Sequence, residues 1–572
     1  MKKYLFIALA ALGFAACADK MDDVKSPAHN GELEESYIAI NLMAADVDSR
    51  AAEDTYGYEL GTEAERKINS AYFFFFDENG NPFNVNGAPA TAPGGNKNHM
   101  ALTISEATTS NMPNVSDIKE AVLVLNTYKG VYPSKIVAVL NWTPAERAYS
   151  LAELHDVMAD LNTNGYVMTN SVYMDGAGKV VDATPLTAAN IKTSADAAKA
   201  TPVEIYVERI AAKVVLTAGG KVEGTENIFD TQKDSTPIVA LGETSTIDVY
   251  VKLFGWELYN DYNTTNLLKD IENWDVATLG LTWNDIPYYR CYWAASQNVN
   301  PVDSFSWSYD DYASKGFKTK YGFNVAPQAD SEYTDATTYT YCGENTTTDY
   351  RTKVILKGQL VQKVGEVYEP LELARWYGTE YAGNEALRIA VANSIKYTLY
   401  YYDEENSKYI SVAPGDLQCV KGKDVDASAK SYEVGFQLST AGTAKTWFKY
   451  DSEEGYVRMG NPDVTGDNTV KANAYLATVE PALLYADGMT YYSVDIKHLG
   501  ATGKTAEYGV VRNHVYQIDI ESIKGYGSPV YSGLDFVVDQ PEYPVEDEAS
   551  YVAAKINVLS WKVVKQGVDI VQ

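Results

Sequence analysis

The run Val203-Glu204-Ile205-Tyr206-Val207-Glu208-Arg209-Ile210 places Val203, Ile205 and Val207 on one side of an extended chain and Glu204 and Glu208 on the other. A period of two fits a half-buried β-strand and not a helix. Ala211-Ala212-Lys213-Val214-Val215-Leu216 follows without a turn residue, so the pattern predicts one long strand that crosses between two β-domains. Shorter runs of the same kind recur at residues 121–125, 135–140, 248–253, 353–360 and 395–402. Residues 71–76 form a continuous apolar stretch that reads as a buried strand, closed by Asp77-Glu78-Asn79-Gly80-Asn81-Pro82. Tyrosine is abundant, 45 residues against 15 phenylalanines. Aromatic and β-branched residues favour pleated, half-buried surfaces, so the expected fold is all-β with few short helices. One helix is predicted after Ser150, where Ser150 and Glu153 form a capping box and Leu151, Leu154, Met158 and Leu161 share a face.

A chain of 572 residues exceeds one hydrophobic core, so two or more domains are expected. Its 47 basic and 77 acidic residues give a net charge of −30, which argues against nucleic acid and against docking on anionic lipid. Lys2 and Lys3 precede an apolar run at residues 4–14, too short for a permanent span and suited to a secretory signal. Phe14-Ala15-Ala16-Cys17 resembles a lipobox, which makes Cys17 the residue that carries lipid and any membrane link covalent. Residues 18–35 are polar and acidic and read as a tether. Ile38, Ile40 and Leu42 then alternate as a strand, and Arg50 stands between Ser49 and Ala51 in a polar stretch. The other cysteines, Cys291, Cys342 and Cys419, cannot all pair; they are either buried thiols or include one bridge, Cys291 with Cys342.

Catalytic signatures are missing from the sequence: there is no H-E-x-x-H, C-x-x-C or G-x-S-x-G, and only five histidines occur. His155 reads as a polar surface position. Leu499-Gly500-Ala501-Thr502-Gly503-Lys504-Thr505 imitates a phosphate loop, but His498 occupies the place of its first glycine, so a hairpin loop is expected. Neither Asp77–Pro82 nor Asp463-Val464-Thr465-Gly466-Asp467-Asn468 has calcium-loop spacing, and both read as turns. No enzyme activity, cofactor or metal is expected.

Several segments together resemble the major-subunit family of Bacteroidales short (minor) fimbriae, a type V pilus group related to fimbrillins. They are Gly165-Tyr166-Val167-Met168-Thr169-Asn170-Ser171, Val207-Glu208-Arg209-Ile210-Ala211-Ala212-Lys213-Val214, Tyr341-Cys342-Gly343-Glu344-Asn345-Thr346, Val511-Arg512-Asn513-His514-Val515-Tyr516 and Gly525-Tyr526-Gly527-Ser528-Pro529. The acidic stretch after Cys17 also resembles a surface-export signal of Bacteroidetes lipoproteins. The resemblance implies two transthyretin-like Greek-key β-sandwich domains and no catalysis. It divides the chain into a signal peptide (1–16), a propeptide (17–50), two sandwiches (51–215 and 216–540) and a C-terminal donor segment (541–572). It further implies a shaft subunit at the cell surface whose precursor is lipid-anchored at the outer membrane.

In this scheme an arginine-specific surface protease cuts between Arg50 and Ala51, the strand of Ile38, Ile40 and Leu42 leaves, and the groove receives a C-terminal segment of an identical subunit. Anchor and tip subunits are the other implied partners, and adhesion and biofilm formation the implied roles. Ile556, Val558, Trp561, Val563, Val568 and Ile570 are the candidate donor residues, in two alternating stretches broken by Gln566-Gly567. The alternative reading of residues 555–572 is the last strands of their own domain; the resemblance favours the donor role. The alternative function is a fimbrial tip or anchor adhesin, or a surface glycan-binding lipoprotein that would keep its lipid and need no Arg50.

Overall fold

Twelve residues, Leu33–Ala44, form strand β1 in the interior of a nine-stranded sheet. The computed structural model describes residues 33–44, 57–58, 61–85, 96–102, 105–106, 117–128, 130–174, 180–225, 227–231, 236–271, 293–296, 306–307, 339–348, 351–429, 433–530, 536–537, 551–559 and 562–566. After β1 come the two-residue strand β2 (Gly57–Tyr58) and a helical turn, α1 (Glu63–Arg66), capped by Thr62 and Glu65. Next are β3 (Ala71–Phe76), β4 (Asp117–Tyr128), β5 (Lys135–Leu140), α2 (Leu151–His155), β6 (Met168–Asn170) and β7 (Val203–Arg209). The sheet runs β3-β5-β6-β7-β1-β4, with short strands added at its margins.

β3 does not alternate because both of its faces are buried. Phe73 and Phe75 enter a core with Ile38, Leu123, Ile136, Ile205 and Val207, all from strands of this one sheet. Phe74 and Phe76 enter a second core with Tyr149, Leu151, Leu154 and Leu267. The turn after β3 is closed by its own aspartate, whose carboxylate accepts from the amides of Asn79 and Asn81 at 2.8 Å each.

The capping box of Ser150 and Glu153 forms as expected, but α2 stops at His155. Met158 and Leu161 therefore do not lie on its face: residues 158–160 are a strand paired with Thr264–Asn266, Met158 is exposed, and Leu161 is buried beyond it. Pairing across more than a hundred residues overrides the local helical pattern. The expected long crossing strand is two strands. Ile210 and Ala211 interrupt the extended ladder, and β8 (Ala212–Thr217) enters a different sheet.

Strands β9 (Val249–Tyr259), β10 (Tyr339–Cys342) and β11 (Lys353–Val364) follow. From there the chain passes into a separately cored unit made of α3 (Gly383–Ile395), β12 (Leu399–Asp403), β13 (Lys408–Ser411), β14 (Trp447–Asp451), β15 (Gly455–Arg458) and α4 (Asp467–Leu476). The strand expected at residues 395–402 thus begins only at Leu399, because Ile395 ends a helix. Asp467 and Asn468 open α4 rather than a bare turn, and the Asn468 amide is spent on the backbone of Trp447 and Met459.

The chain returns as β16 (Met489–Asp495) and β17 (Val515–Lys524) and ends in β18 (Tyr551–Leu559) and β19 (Lys562–Gln566). One sheet has the order β2-β19-β18-β17-β8-β10, and the facing sheet contains β9-β11-β16. Between them lies a shared core of Val214, Leu216, Tyr516 and Ile518 against Val251, Trp256, Leu356 and Val494, so this half is a two-sheet sandwich. The segment at residues 499–505 is a loop, held by the Gly500 amide on the Ala506 carbonyl at 2.7 Å and ended by an antiparallel bridge between Lys497 and Tyr508. Among the described residues no helix is long and apolar enough to cross a membrane, and no cluster of three metal-ligating side chains occurs.

Candidate functional site

β1 is an internal strand. On one side it pairs antiparallel with β4 along its whole length, Leu33 opposite Tyr128 through Ala44 opposite Asp117. Its other edge pairs in parallel with β7, Ile40 opposite Val203 through Ala44 opposite Val207. Ile38 is fully buried, opposite Leu123, and Ser36 and Ala39 are buried as well. Beside β1 in the same sheet stand Ala121, Leu123 and Leu125 of β4 and Val203, Ile205 and Val207 of β7, six side chains of one core. Backbone positions 40 and 42 fall in this ladder, Ile40 opposite Ala121 and Leu42 opposite Lys119.

The consequence is geometric. Taking an edge strand away exposes one row of amides and carbonyls, whereas taking β1 away exposes two, on β4 and β7, with an apolar trough between them. Such a gap has the form of a strand-accepting groove. Arg50 and Ala51 lie outside the described residues, in the stretch between Ala44 of the first sheet and Gly57 of the second. Cys17 lies outside them too.

At the other end of the chain, Ile556 and Val558 belong to β18, which pairs with β17, Ile556 opposite Ile518 and Val558 opposite Tyr516. Val563 is in β19, where it stands opposite Leu559 in a hairpin and opposite Gly57 of β2. Trp561, Val568 and Ile570 lie outside the described residues. In this single chain the C-terminal hairpin is therefore seated at the margin of its own sandwich, and the structure does not bring it to β1.

A feature that sequence reasoning missed joins the two halves. Glu65 of α1 is buried, and its carboxylate accepts from the Lys213 ammonium at 2.9 Å, from the Thr62 amide at 2.6 Å and from the Tyr341 hydroxyl. Its backbone carbonyl takes the Arg209 guanidinium at 2.7 Å. Burial pushes the Glu65 carboxyl up, but the charges of Lys213 and Arg209 and the hydroxyl of Tyr341 overcome it and hold it below the ordinary glutamate range. Burial and the neighbouring Glu65 raise Tyr341 far above the usual phenol range, so it stays a donor.

A second buried pair stands close by in the chain's topology. Arg512 grips Glu344 through Nε at 3.1 Å and Nη2 at 3.0 Å, and also donates to the carbonyls of Asn266 at 2.8 Å and Leu267 at 3.1 Å. Lys269 pairs with Glu208 at 2.7 Å, again buried. Tyr166 packs its ring 4.7 Å from that of Tyr341. Four of the five segments quoted above thus meet at one charged joint between the first sheet and the second sandwich. The signal was present as charged residues inside apolar runs, Glu208, Arg209 and Lys213 above all, which are costly to bury unless paired.

Cys342 and Cys419 are buried thiols, and burial raises both, Cys419 to about 12. Cys291 lies outside the described residues. His155 is half-buried and pairs with Asp182 at 2.8 Å.

Residues 483–567 match the family model described as major fimbrial subunit protein type IV, fimbrillin, C-terminal. No curated protein matches the chain. Among solved structures, a fimbrilin from Porphyromonas gingivalis W83 is 11% identical, with 94% of this chain and 99% of that one covered at a TM-score of 0.30. The tip fimbrial protein Mfa3 from Porphyromonas gingivalis, with a C-terminal truncation, is 13% identical, covering 92% and 99% at a TM-score of 0.25. A fimbrial assembly protein from Parabacteroides distasonis ATCC 8503 is 11% identical, covering 73% and 100% at a TM-score of 0.27.

Proposed function

We propose, from the match of residues 483–567 to the C-terminal fimbrillin model, that the chain is a fimbrial shaft subunit that polymerises by strand exchange. The precursor is exported as a lipoprotein through Cys17 and held at the outer membrane. A trypsin-like surface protease cuts between Arg50 and Ala51. β1 then has no covalent link to the rest of the subunit and departs with the lipid. The groove between β4 and β7 accepts the C-terminal segment of the next identical subunit, led by Ile556, Val558, Trp561, Val563, Val568 and Ile570.

One observation carries this reading: β1, the only described strand that precedes Arg50, is internal to its sheet. A strand kept merely for stability gains nothing from being the one segment severed by such a cut. A strand that keeps a groove shut must be internal and must be separable. The incoming segment recovers what β1 gave up, about 1.5–3 kcal/mol for each large apolar side chain buried together with two rows of main-chain hydrogen bonds. A joint of that kind resists dissociation. For the C-terminal hairpin to act as donor it must leave β17, and its outer neighbour β2 holds it by only two residues, Gly57 and Tyr58. Anchor and tip subunits would complete the filament.

N-terminal sequencing of surface polymers is the test. Polymers should begin at Ala51, and Arg50→Ala should leave lipidated monomer. Polymers beginning at Cys17, or filaments formed normally by the Arg50→Ala chain, would overturn the proposal.

A further inference from the structure

The four strands β13-β12-β14-β15 form an antiparallel sheet in the unit inserted into the second sandwich. One of its faces turns Leu399, Tyr401 and Trp447 toward the core built with α3 and α4. Strand alternation puts Tyr400, Tyr402, Tyr409, Phe448, Tyr450 and Tyr456 on the other face. Tyr409 and Tyr456 stack at 3.9 Å with their planes 11° apart, although they come from the two outermost strands. Flat strands would hold those positions at least about 14 Å apart, three spacings of ~4.8 Å, before their offset along the strands is added. The sheet is therefore curled, and the aromatic face is its concave side. Tyr402, Tyr409 and Phe448 continue the cluster at 5.0 and 5.1 Å, and Tyr450 lies 5.2 Å from Tyr456. Yet Tyr402, Tyr450 and Tyr456 remain 41%, 47% and 38% exposed.

Both ends of this face are acidic. Because β12 and β14 are antiparallel, the turn after Asp403 and the turn after Asp451 lie at opposite ends of the sheet. Asp403 and Asp451 are consumed in shaping those turns, accepting from the amides of Glu405 and Asn406 and of Glu453 and Glu454. Glu404, Glu405, Glu453 and Glu454 are left exposed to solvent. Of the basic groups on these strands, Lys449 lies on the opposite pleat, Arg458 is turned onto the carbonyls of Met459 and Gly460, and Lys408 stands across from Asp403.

We propose that this face binds an extended, arginine-bearing segment of another protein. Guanidinium groups stack on tyrosine faces and pair with carboxylates, and here a concave face of rings is flanked at both ends by free carboxylates. The charge of −30 on the whole chain draws a cationic partner toward it. The strip spans four strands, room for about four extended residues. It lies on the inserted unit, whose four strands pair with neither β1 nor the C-terminal hairpin.

The test uses the purified full chain and fluorescent eight-residue peptides of alternating Arg and Gly, Lys and Gly, or Glu and Gly, read by fluorescence anisotropy beside a panel of oligosaccharides. The Arg peptide should bind, the Lys peptide less tightly, and the Glu peptide not at all. Tyr402→Ser with Tyr450→Ser, both exposed positions, should weaken the Arg peptide about 10-fold with no change in charge. Glu404→Gln with Glu453→Gln should weaken it too and flatten its salt dependence. Affinity unchanged within twofold in the tyrosine variant would overturn the proposal, since capture would then be by bulk negative charge. Tyrosine-dependent binding of an oligosaccharide in place of the Arg peptide would overturn it as well.

Discussion

Replacing Ile38 with alanine separates a strand that closes a groove from one that merely belongs to a fold. Ile38 is fully buried in the first core, against Leu123 and its neighbours. An isoleucine-to-alanine change at such a site costs about 2–5 kcal/mol, the lost transfer energy plus the cavity left behind. For a domain of this size each kcal/mol lowers the midpoint by roughly 2–4 °C, so a loss of ~3 kcal/mol should lower the transition of the half built on the first sheet by about 6–12 °C. Calorimetry of the uncut precursor should show that shift and leave the second sandwich's transition in place. The assembled polymer should melt as wild type does, because residue 38 has left it. Leu123→Ala, in the groove wall, should weaken precursor and polymer alike. Val124→Ala, one residue away and 42% exposed, should stay within about 0.5 kcal/mol. A polymer destabilised by Ile38→Ala, or a precursor untouched by it, would refute the assignment of β1 as a removable strand.

The charged joint gives two further expectations. Arg512→Met strands the buried Glu344 carboxylate and should cost about 3–5 kcal/mol, whereas the double change Arg512→Met with Glu344→Leu should recover part of it; a double-mutant cycle by urea unfolding measures the coupling. Glu65 titrates below its ordinary value of 4.5 when folded, so its contribution is full above that pH and is lost as pH falls through the lower folded value. Glu65→Gln should therefore be less stable than wild type at pH 7, and the gap should close on acidification from pH 5 toward pH 3; a gap that does not change would count against the pairing.

Local pattern located many strands but not their partners. The runs at 121–125 and 135–140 are strands, as their composition requires, yet they do not pair with each other: β4 lies against β1, and β5 against β3. Which neighbour a strand takes depends on side chains tens of residues away, and neither run carries that information. The helical face after Ser150 was legible only to its first turn, since residues 158–160 take a strand partner beyond residue 260. α3 and α4 went unread inside a region of strand-like composition.

The alternation of Ile38, Ile40 and Leu42 and the lone Arg50 were open to inspection in the sequence, as were the alternating tail and the wealth of tyrosine. Period and composition alone therefore determined an all-β chain with a strand ahead of a lone arginine. Only the tertiary structure decided that this strand is internal, that Glu65, Arg209, Lys213 and Arg512 are buried partners rather than surface charges, and that six aromatic rings share one concave face. The physical reason is common to all three. Burial and pairing are properties of what a residue meets across the fold, and a one-dimensional pattern records only which side of its own strand a residue occupies.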